Sequence, residues 1–447
     1  MILRPPQVGY TAPGKQVYKG VQATQIASTT VPGGETMKYV IWYVRFWYAA
    51  WMIPAGIEHF YHIYPQPGAN SRFPLAAEML TALLNSHLFD LVKAVELIAG
   101  VAILFGFFSP LALLLSVPVA FSVFWWDAPL SEWNTSSTIA GARVLVSQVI
   151  LLVAFVAAFR PMLAARASLS SSVQGATARN AVRAAALLFG GWMLLNGLNQ
   201  FFFSWWAMPA GQTPLSAELM TSLVNSRLLD VCLLIQMVAG ALILLGLFVP
   251  AALCVTMAVS TSALFWAVLD HQLITLGLGL LAFALNGGLM LAYLDSYRGV
   301  LERAPMTLGE SDPQTSYNTL FVQPGGRTAR GPFVAALIPL ALATGWYAIK
   351  GPAANYACWG VLCLLYPAVV LHVRRLHDLG RTGWLMAGPT ALAVVAMGIW
   401  AGRVSFGAPL DAAIPLAALA SFVAVALWGG IARGQSPAQT VGQPMAA

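Results

Sequence analysis

Long apolar segments recur along almost the whole chain, separated by short polar stretches. Each is long enough to cross about 30 Å of hydrocarbon as a helix, and none shows the ten-residue alternation of a transmembrane β-strand. We predict twelve spans, near residues 39–63, 88–108, 110–127, 139–160, 181–204, 228–248, 250–270, 272–294, 332–350, 355–373, 384–402 and 411–430. The pattern therefore predicts an all-α polytopic membrane protein with three four-helix units.

The composition supports this class. Of the 447 residues, 59% are hydrophobic and 9% are charged, against about 25% charged residues in a soluble domain. The first 38 residues are polar and rich in Pro, Gly and Thr without an apolar segment, so we expect a flexible tail and no signal peptide. The four cysteines lie in apolar segments without a CxxC pair, which argues against thiol redox chemistry and zinc binding.

The basic residues predict the orientation of the chain. Sixteen of the 23 Lys and Arg residues fall in the two tails and in the loops after spans four, eight and ten. The opposite side carries Arg72, Arg227, Lys350 and Arg403. By the positive-inside rule, both termini are predicted to be cytoplasmic, in a bacterial inner membrane. The net charge of +7 is thus explained by topology, and no nucleic-acid partner is expected.

The first two units are a duplication. Residues 74–110 align with residues 214–250 with 17 of 37 positions identical. Because each unit contains an even number of spans, the two copies have the same orientation and the repeat is parallel. We predict the following organisation: an N-terminal tail at 1–38, unit 1 at 39–165, unit 2 at 178–300, a linker at 301–325, unit 3 at 326–433 and a C-terminal tail at 434–447.

The alignment shows which charges the fold does not need. Asp90 is retained in unit 2, whereas Lys93 and Glu96 become Leu233 and Gln236. A charge inside the membrane costs about 2.5–3.5 kcal/mol on insertion scales, so its presence in one copy needs a reason. Either the pair ties its helix to a neighbour, or it belongs to a polar site.

The end of the first span shows the same difference between the units. Glu58, His59 and His62 align with residues of unit 2 that carry no ionisable group. Glu58 and His62 share a helix face, but two ligands do not make a metal site, and none is predicted. Anchoring at the membrane interface is the alternative explanation. The candidate polar site of unit 1 comprises Glu58, His59, His62, Lys93 and Glu96.

Two family resemblances follow from these segments. The segments "GIEHF" and "KAVELIAGVAILFGFFSP" of unit 1 resemble the DoxX family of four-helix membrane proteins. Relatives of that family are linked to membrane oxidoreductases, including the small subunit of thiosulfate:quinone oxidoreductase. The resemblance implies contact with a quinone or a redox partner. Unit 2 departs from the family pattern at Leu233 and Gln236.

The third unit resembles a different family. Its segments "GRTARGPF" at 326–333 and "RRLHDLGRTGW" at 374–384 are similar to the signature of the membrane family called domain of unknown function 805. We predict a cytoplasmic loop whose charged residues either pair with one another or bind a lipid phosphate. These residues are Arg374, Arg375, His377, Asp378 and Arg381.

Three functions are compatible with the sequence. The first is an integral subunit of a membrane oxidoreductase or respiratory-type complex, with a quinone as its possible cofactor. The second is a non-catalytic accessory subunit, which the missing charges of unit 2 favour. The third is a small-molecule or lipid transporter, although paired broken helices are absent from the sequence pattern. The lipid bilayer and other subunits of a complex are the expected partners, and no complete catalytic motif is recognised.

Overall fold

The computed structural model describes residues 34–64, 72–350 and 357–435, and the regular elements within them are helical. Unit 1 contains α1 (Gly34–Tyr61), α2 (Pro74–Asn85), α3 (Leu88–Phe105), α4 (Ser109–Asp127), α5 (Thr135–Ala154) and the single turn α6 (Val156–Phe159). Unit 2 contains α7 (Ala176–Leu198), continued by a π-helical turn (Asn199–Phe203), then α8 (Pro214–Asn225), α9 (Leu228–Leu245), α10 (Val249–Asp270) and α11 (Leu273–Ala292). The predicted tails lie almost entirely outside the described residues.

The rest of the described chain is a linker and the third unit. The linker includes a short helix, α12 (Tyr317–Phe321). Unit 3 contains α13 (Arg330–Lys350), α14 (Ala357–Asp378), α15 (Ala387–Trp400), preceded by a 3-10 turn (Gly383–Met386), and α16 (Ala408–Ile431).

Ten of these helices are long and apolar enough to cross a membrane. They are α4, α5, α7 with its π turn, α9, α10, α11, α13, α14, α15 with its 3-10 turn, and α16. The protein is therefore an all-α polytopic membrane protein, as predicted. Helices α1 and α3 were also predicted to span but are not among the ten. Helix α3 carries three charged residues, Asp90, Lys93 and Glu96, within 18 residues, and the apolar sequence of α1 is interrupted by Arg45. The number twelve stays a prediction.

The two repeated units have their helices in the same order and packing. Helix α1 packs on α3 as α7 packs on α9, and α4 packs on α5 as α10 packs on α11. Glycine allows the first of these contacts: a Cβ added to Gly56 would lie 2.7 Å from the Cβ of Leu97. Gly197 meets Met237 in the same way in unit 2. Small residues thus bring the first and third helices of each unit into close contact.

The short helices α2 and α8 join the two units through a reciprocal pair of hydrogen bonds. Asn85 Nδ2 donates to Glu218 Oε1 over 2.9 Å, and Asn225 Nδ2 donates to Glu78 Oε1 over 2.7 Å. These residues occupy equivalent positions of the repeat, so the two contacts are related by an approximate two-fold axis. We call this pair of contacts the clasp, and the end of the bundle that carries it the α2 side.

The linker closes the opposite end of unit 1, which we call the linker side. Tyr317 and Phe321 on α12 are buried, and Phe321 meets Trp42 edge to face at 5.2 Å between ring centroids. The Tyr317 hydroxyl donates to the Leu104 carbonyl over 2.8 Å. The buried Arg45 guanidinium lies 3.6 Å from the centroid of the Tyr317 ring. The predicted linker is thus packed into unit 1.

Candidate functional site

The candidate polar site lies in the contact between α1 and α3, towards the α2 side. Glu58 is in the last turn of α1, and Lys93 and Glu96 lie on successive turns of α3. All three side chains are buried, with relative exposures of 4% for Glu58 and 1% for Glu96. His62 follows the end of α1, and 82% of its side chain is exposed. The site therefore runs from the surface into the bundle.

Lys93 and Glu96 form the buried ion pair that their spacing of three residues predicts. The Lys93 Nζ donates to Glu96 Oε2 over 2.7 Å and lies 5.1 Å from the centroid of the Phe89 ring. The other carboxylate oxygen, Glu96 Oε1, is buried and has no hydrogen-bond partner among the described residues. A buried acceptor without a donor is costly, so this oxygen is available to a ligand that carries an O–H or N–H group.

The two candidate histidines lie near different carboxylates. His62 Nδ1 lies 3.8 Å from Glu58 Oε1. His59 instead contacts Asp90, with 2.7 Å between its Nε2 and the Asp90 Oδ1, and His87 Nδ1 lies 3.0 Å from the Asp90 Oδ2. The structure thus places His59 with Asp90, a residue that the sequence analysis left outside the candidate site.

In unit 2, the equivalent contacts are made by side-chain amides. Gln200, the counterpart of His59, donates to Asp230 Oδ1 over 2.9 Å. Gln236, the counterpart of Glu96, accepts a hydrogen bond of 3.1 Å from Asn196 Nδ2. The aspartate that both units retain is thus a structural tie between the first and third helices, and the ionisable groups are peculiar to unit 1.

A second polar cluster lies deeper in unit 1 and was missed in the sequence. The buried Tyr48 hydroxyl donates to Gln148 Oε1 over 2.6 Å, and the Ser116 hydroxyl donates to the same oxygen over 3.1 Å. Gln148 Nε2 in turn donates to the Leu113 carbonyl over 2.7 Å. The cluster connects α1, α4 and α5 in the core of unit 1.

The equivalent cluster of unit 2 lacks the tyrosine. Asn286 Nδ2 donates to the hydroxyls of Thr256 and Ser260 over 3.0 and 3.2 Å. Phe189 stands in the place of Tyr48, and Asn286 Oδ1 is buried without a partner among the described residues. Comparing α1 with α7 residue by residue would have found this Tyr-to-Phe difference, because the polar partners are retained on the other helices.

The basic cluster of unit 3 lies at the linker side, in the last turns of α14. This helix continues to Asp378, beyond the predicted end of the span at 373. Arg374, Arg375, His377 and Asp378 are therefore helical rather than in a loop, because contacts with neighbouring segments extend the helix. Arg381 lies after the helix and is exposed.

Arg374 and Arg375 donate most of their hydrogen bonds to backbone carbonyls. Arg374 donates to the Gln323 carbonyl over 3.0 Å and to the Thr328 hydroxyl over 3.1 Å. Arg375 donates to the Gly429 carbonyl over 2.8 Å and to the Ala432 carbonyl over 2.6 Å, at the C-terminal end of α16. Arg375 also forms an ion pair with Asp378. These bonds occupy both guanidinium groups, which supports the stabilising role over phosphate binding.

No set of three His, Cys, Asp or Glu side chains that could hold a metal ion occurs within residues 34–64, 72–350 and 357–435. Comparison of the chain with family models, curated proteins and solved structures gives no match. The resemblances to the DoxX family and to domain of unknown function 805 stay predictions.

Proposed function

We propose that the protein is a membrane-embedded subunit of an oxidoreductase complex and that the α1–α3 contact of unit 1 binds a quinone. The observation that carries this proposal is the buried Glu96 Oε1, to which no group in the described part of the chain donates, beside the Lys93 ammonium. A quinone oxygen is an acceptor when oxidised and an O–H donor when reduced. Lys93 can donate to the first form and Glu96 can accept from the second. The resemblance of unit 1 to the DoxX family supports the same assignment.

The test is binding of a short-chain ubiquinone analogue to the purified full-length protein. We expect Lys93→Leu/Glu96→Gln to weaken binding about ten- to a hundredfold, which corresponds to the loss of one or two charge-assisted hydrogen bonds. The matched control is Gln236→Leu, which removes the aligned polar group of unit 2. Equal affinity of the wild type and the double variant would contradict the proposal.

A second candidate is a non-catalytic accessory subunit, which the outer face of unit 3 favours. Helix α16 exposes large apolar side chains along its length, whereas only Ala418 and Gly429 of this helix are buried. Lipid or another subunit would cover this face. Purification in mild detergent with identification of copurifying proteins tests this candidate. A wild-type complex that contains no bound quinone, and that assembles equally well with Lys93→Leu/Glu96→Gln, would favour this candidate over the first.

The proposal also places the protein in a bacterial inner membrane with both termini in the cytoplasm. The excess of basic residues in the loops of the linker side supports this orientation. The α2 side, with the candidate site, would then face outwards.

A further inference from the structure

The ionisable residues of unit 1 follow one another in space, from the surface at the α2 side into the bundle. The exposed His62 is 3.8 Å from Glu58, one helical turn further in. Beyond it lies the pair of Lys93 and Glu96 on α3. Tyr48 is ten residues before Glu58 on α1, or about 15 Å further along the helix, and its hydroxyl is held by Gln148.

The charges at this contact do not balance without a proton. Two buried carboxylates, Glu58 and Glu96, face a single lysine, Lys93. The other ionisable groups that face them are His59 and His62 on α1, and His59 is engaged by Asp90. Tyr48 also faces Glu96. A buried carboxylate without a counter-charge is unfavourable, so neutralising the second one requires a proton on the carboxylate or on a histidine.

Unit 2 provides an internal control within the same chain. The residues of unit 2 aligned with Tyr48, Glu58, His62, Lys93 and Glu96 are Phe189, Asn199, Phe203, Leu233 and Gln236. None of these side chains takes up or releases a proton near neutral pH. The helix packing is nevertheless the same in both units. The fold therefore does not require the ionisable groups. Their spatial arrangement, from the surface to the core of unit 1, indicates a function.

We propose that Glu58 and Glu96 form a proton-binding site within unit 1 that exchanges protons with water at the α2 side through His62. A proton from water binds the His62 ring and passes to Glu58 or Glu96, which becomes neutral; the reverse transfer returns it to water. No electron moves and no bond other than O–H or N–H changes. This site goes beyond the quinone proposal, because proton exchange requires no quinone.

The first test is infrared difference spectroscopy of the purified, quinone-free full-length protein between about pH 6, where exposed carboxylates are already ionised, and alkaline pH. We expect a protonated-carboxyl band that disappears as the pH rises and that is reduced in Glu58→Gln and in Glu96→Gln. The control, Glu302→Gln, changes an exposed carboxylate, which is ionised throughout this pH range, and should leave this band unaltered. A band that persists unchanged in the Glu58→Gln/Glu96→Gln double variant, or that is missing from the wild type, would overturn the proposal.

The second test uses His62→Gln, which changes an exposed side chain and leaves the core intact. With the protein oriented uniformly in vesicles, we expect a pH step on the α2 side to change the carboxyl band several-fold more slowly in His62→Gln than in the wild type. A step on the linker side should give the same slow response in both proteins. Equal rates in both proteins after the α2-side step would contradict the pathway. Loss of quinone binding alone would leave these results unchanged, so failures of the two proposals are distinguishable.

Discussion

At the scale of single residues, the buried ion pair of α3 shows how position decides the energetic role of a charge. Lys93 and Glu96 are in direct contact, and each is the close counter-charge of the other. In the low-dielectric interior such a pair is close to neutral in its net contribution to stability, whereas one member left alone is strongly unfavourable. The stability of unit 1 should therefore depend on keeping or removing both together.

The first prediction concerns this dependence. Lys93→Leu should lower the free energy of unfolding by about 3–5 kcal/mol, because it leaves the Glu96 carboxylate buried without its counter-charge. Lys93→Leu/Glu96→Gln should cost much less, since unit 2 folds with Leu233 and Gln236 at these positions. Thermal unfolding in detergent measures both effects.

A third variant makes this comparison sharper. In unit 2 the amide of Gln236 is held by Asn196, whose counterpart in unit 1 is Ala55. Adding Ala55→Asn to the double variant should therefore recover part of any remaining loss. If Lys93→Leu alone were as stable as the double variant, the two charges would not depend on each other.

The repeat made part of the site predictable at this scale. Lys93 and Glu96 could be identified because the aligned copy replaces them with uncharged residues. Tyr48 could not be identified by its own properties, since a tyrosine in an aromatic-rich helix resembles an interfacial anchor. Its role depends on Gln148, 100 residues away in sequence, and only the fold brings the two together.

At the scale of elements, side chains near helix ends join separate segments of the chain. Arg375 connects the end of α14 to the last carbonyls of α16, where a cation is favourable to the helix dipole. The apolar pattern of the sequence ends before these charges, so the predicted span ended at 373. The helix continues because the carbonyls of other segments satisfy the arginines, a tertiary effect that periodicity does not contain.

The second prediction follows from this arrangement. Asp378→Ala should lower the free energy of unfolding by about 1–3 kcal/mol, because Arg375 loses its anion but keeps its carbonyl acceptors. Arg375→Met should cost more, about 3–5 kcal/mol, because it also leaves Asp378 unpaired. The exposed Arg381→Ala is the control and should change stability by no more than about 0.5 kcal/mol. Preserved unfolding temperatures in both variants would argue for a ligand-binding role instead.

The third prediction concerns pH and the short turn after α11. The backbone N–H of Ser171, and then the Ser170 hydroxyl and Arg298, hold the pKa of Asp295 below its usual value. The Ser171 N–H donates to Asp295 Oδ2 over 3.0 Å. Because the folded-state pKa is lowered, the stabilisation is complete above the ordinary carboxyl pKa and is lost as the pH falls through the lowered value.

Asp295→Asn should remove this pH dependence. The unfolding temperature of the variant should lie below that of the wild type near neutral pH, and the difference should shrink as the solution becomes acidic. The matched control is Asp312→Asn, at a different turn of the same side. A constant difference at all pH values would show that the carboxylate charge is not the source of the effect.

At the scale of the whole molecule, the sequence predicted the class of protein better than its assembly. Hydropathy and self-alignment predicted twelve spans and a parallel repeat, and ten helices within the described residues have the length and composition of a span. The packing of the linker into unit 1 did not follow, because its apolar residues Tyr317, Leu320 and Phe321 occupy only one short helix. Five residues are too few for a periodic pattern.

The fourth prediction concerns orientation in the membrane. Single cysteines introduced at Arg72 or Arg227 should react with an impermeant reagent in intact cells, because the positive-inside rule predicts that the α2 side faces outwards. Cysteines at Arg166 or Arg330 should react only after the membrane is opened. The native cysteines lie within apolar helices, so a cysteine-free background is a minor change. Labelling in the reverse pattern would invert the topology.

The clasp between α2 and α8 has a consequence for how unit 1 and unit 2 could diverge. Its two contacts, Asn85 with Glu218 and Asn225 with Glu78, are those that two identical subunits would make across a symmetry axis. In a homodimer, every substitution enters both subunits at once. Once the halves are covalently joined, a mutation changes only one of them. One half can then retain costly buried charges while the other replaces them with neutral residues that keep the scaffold stable.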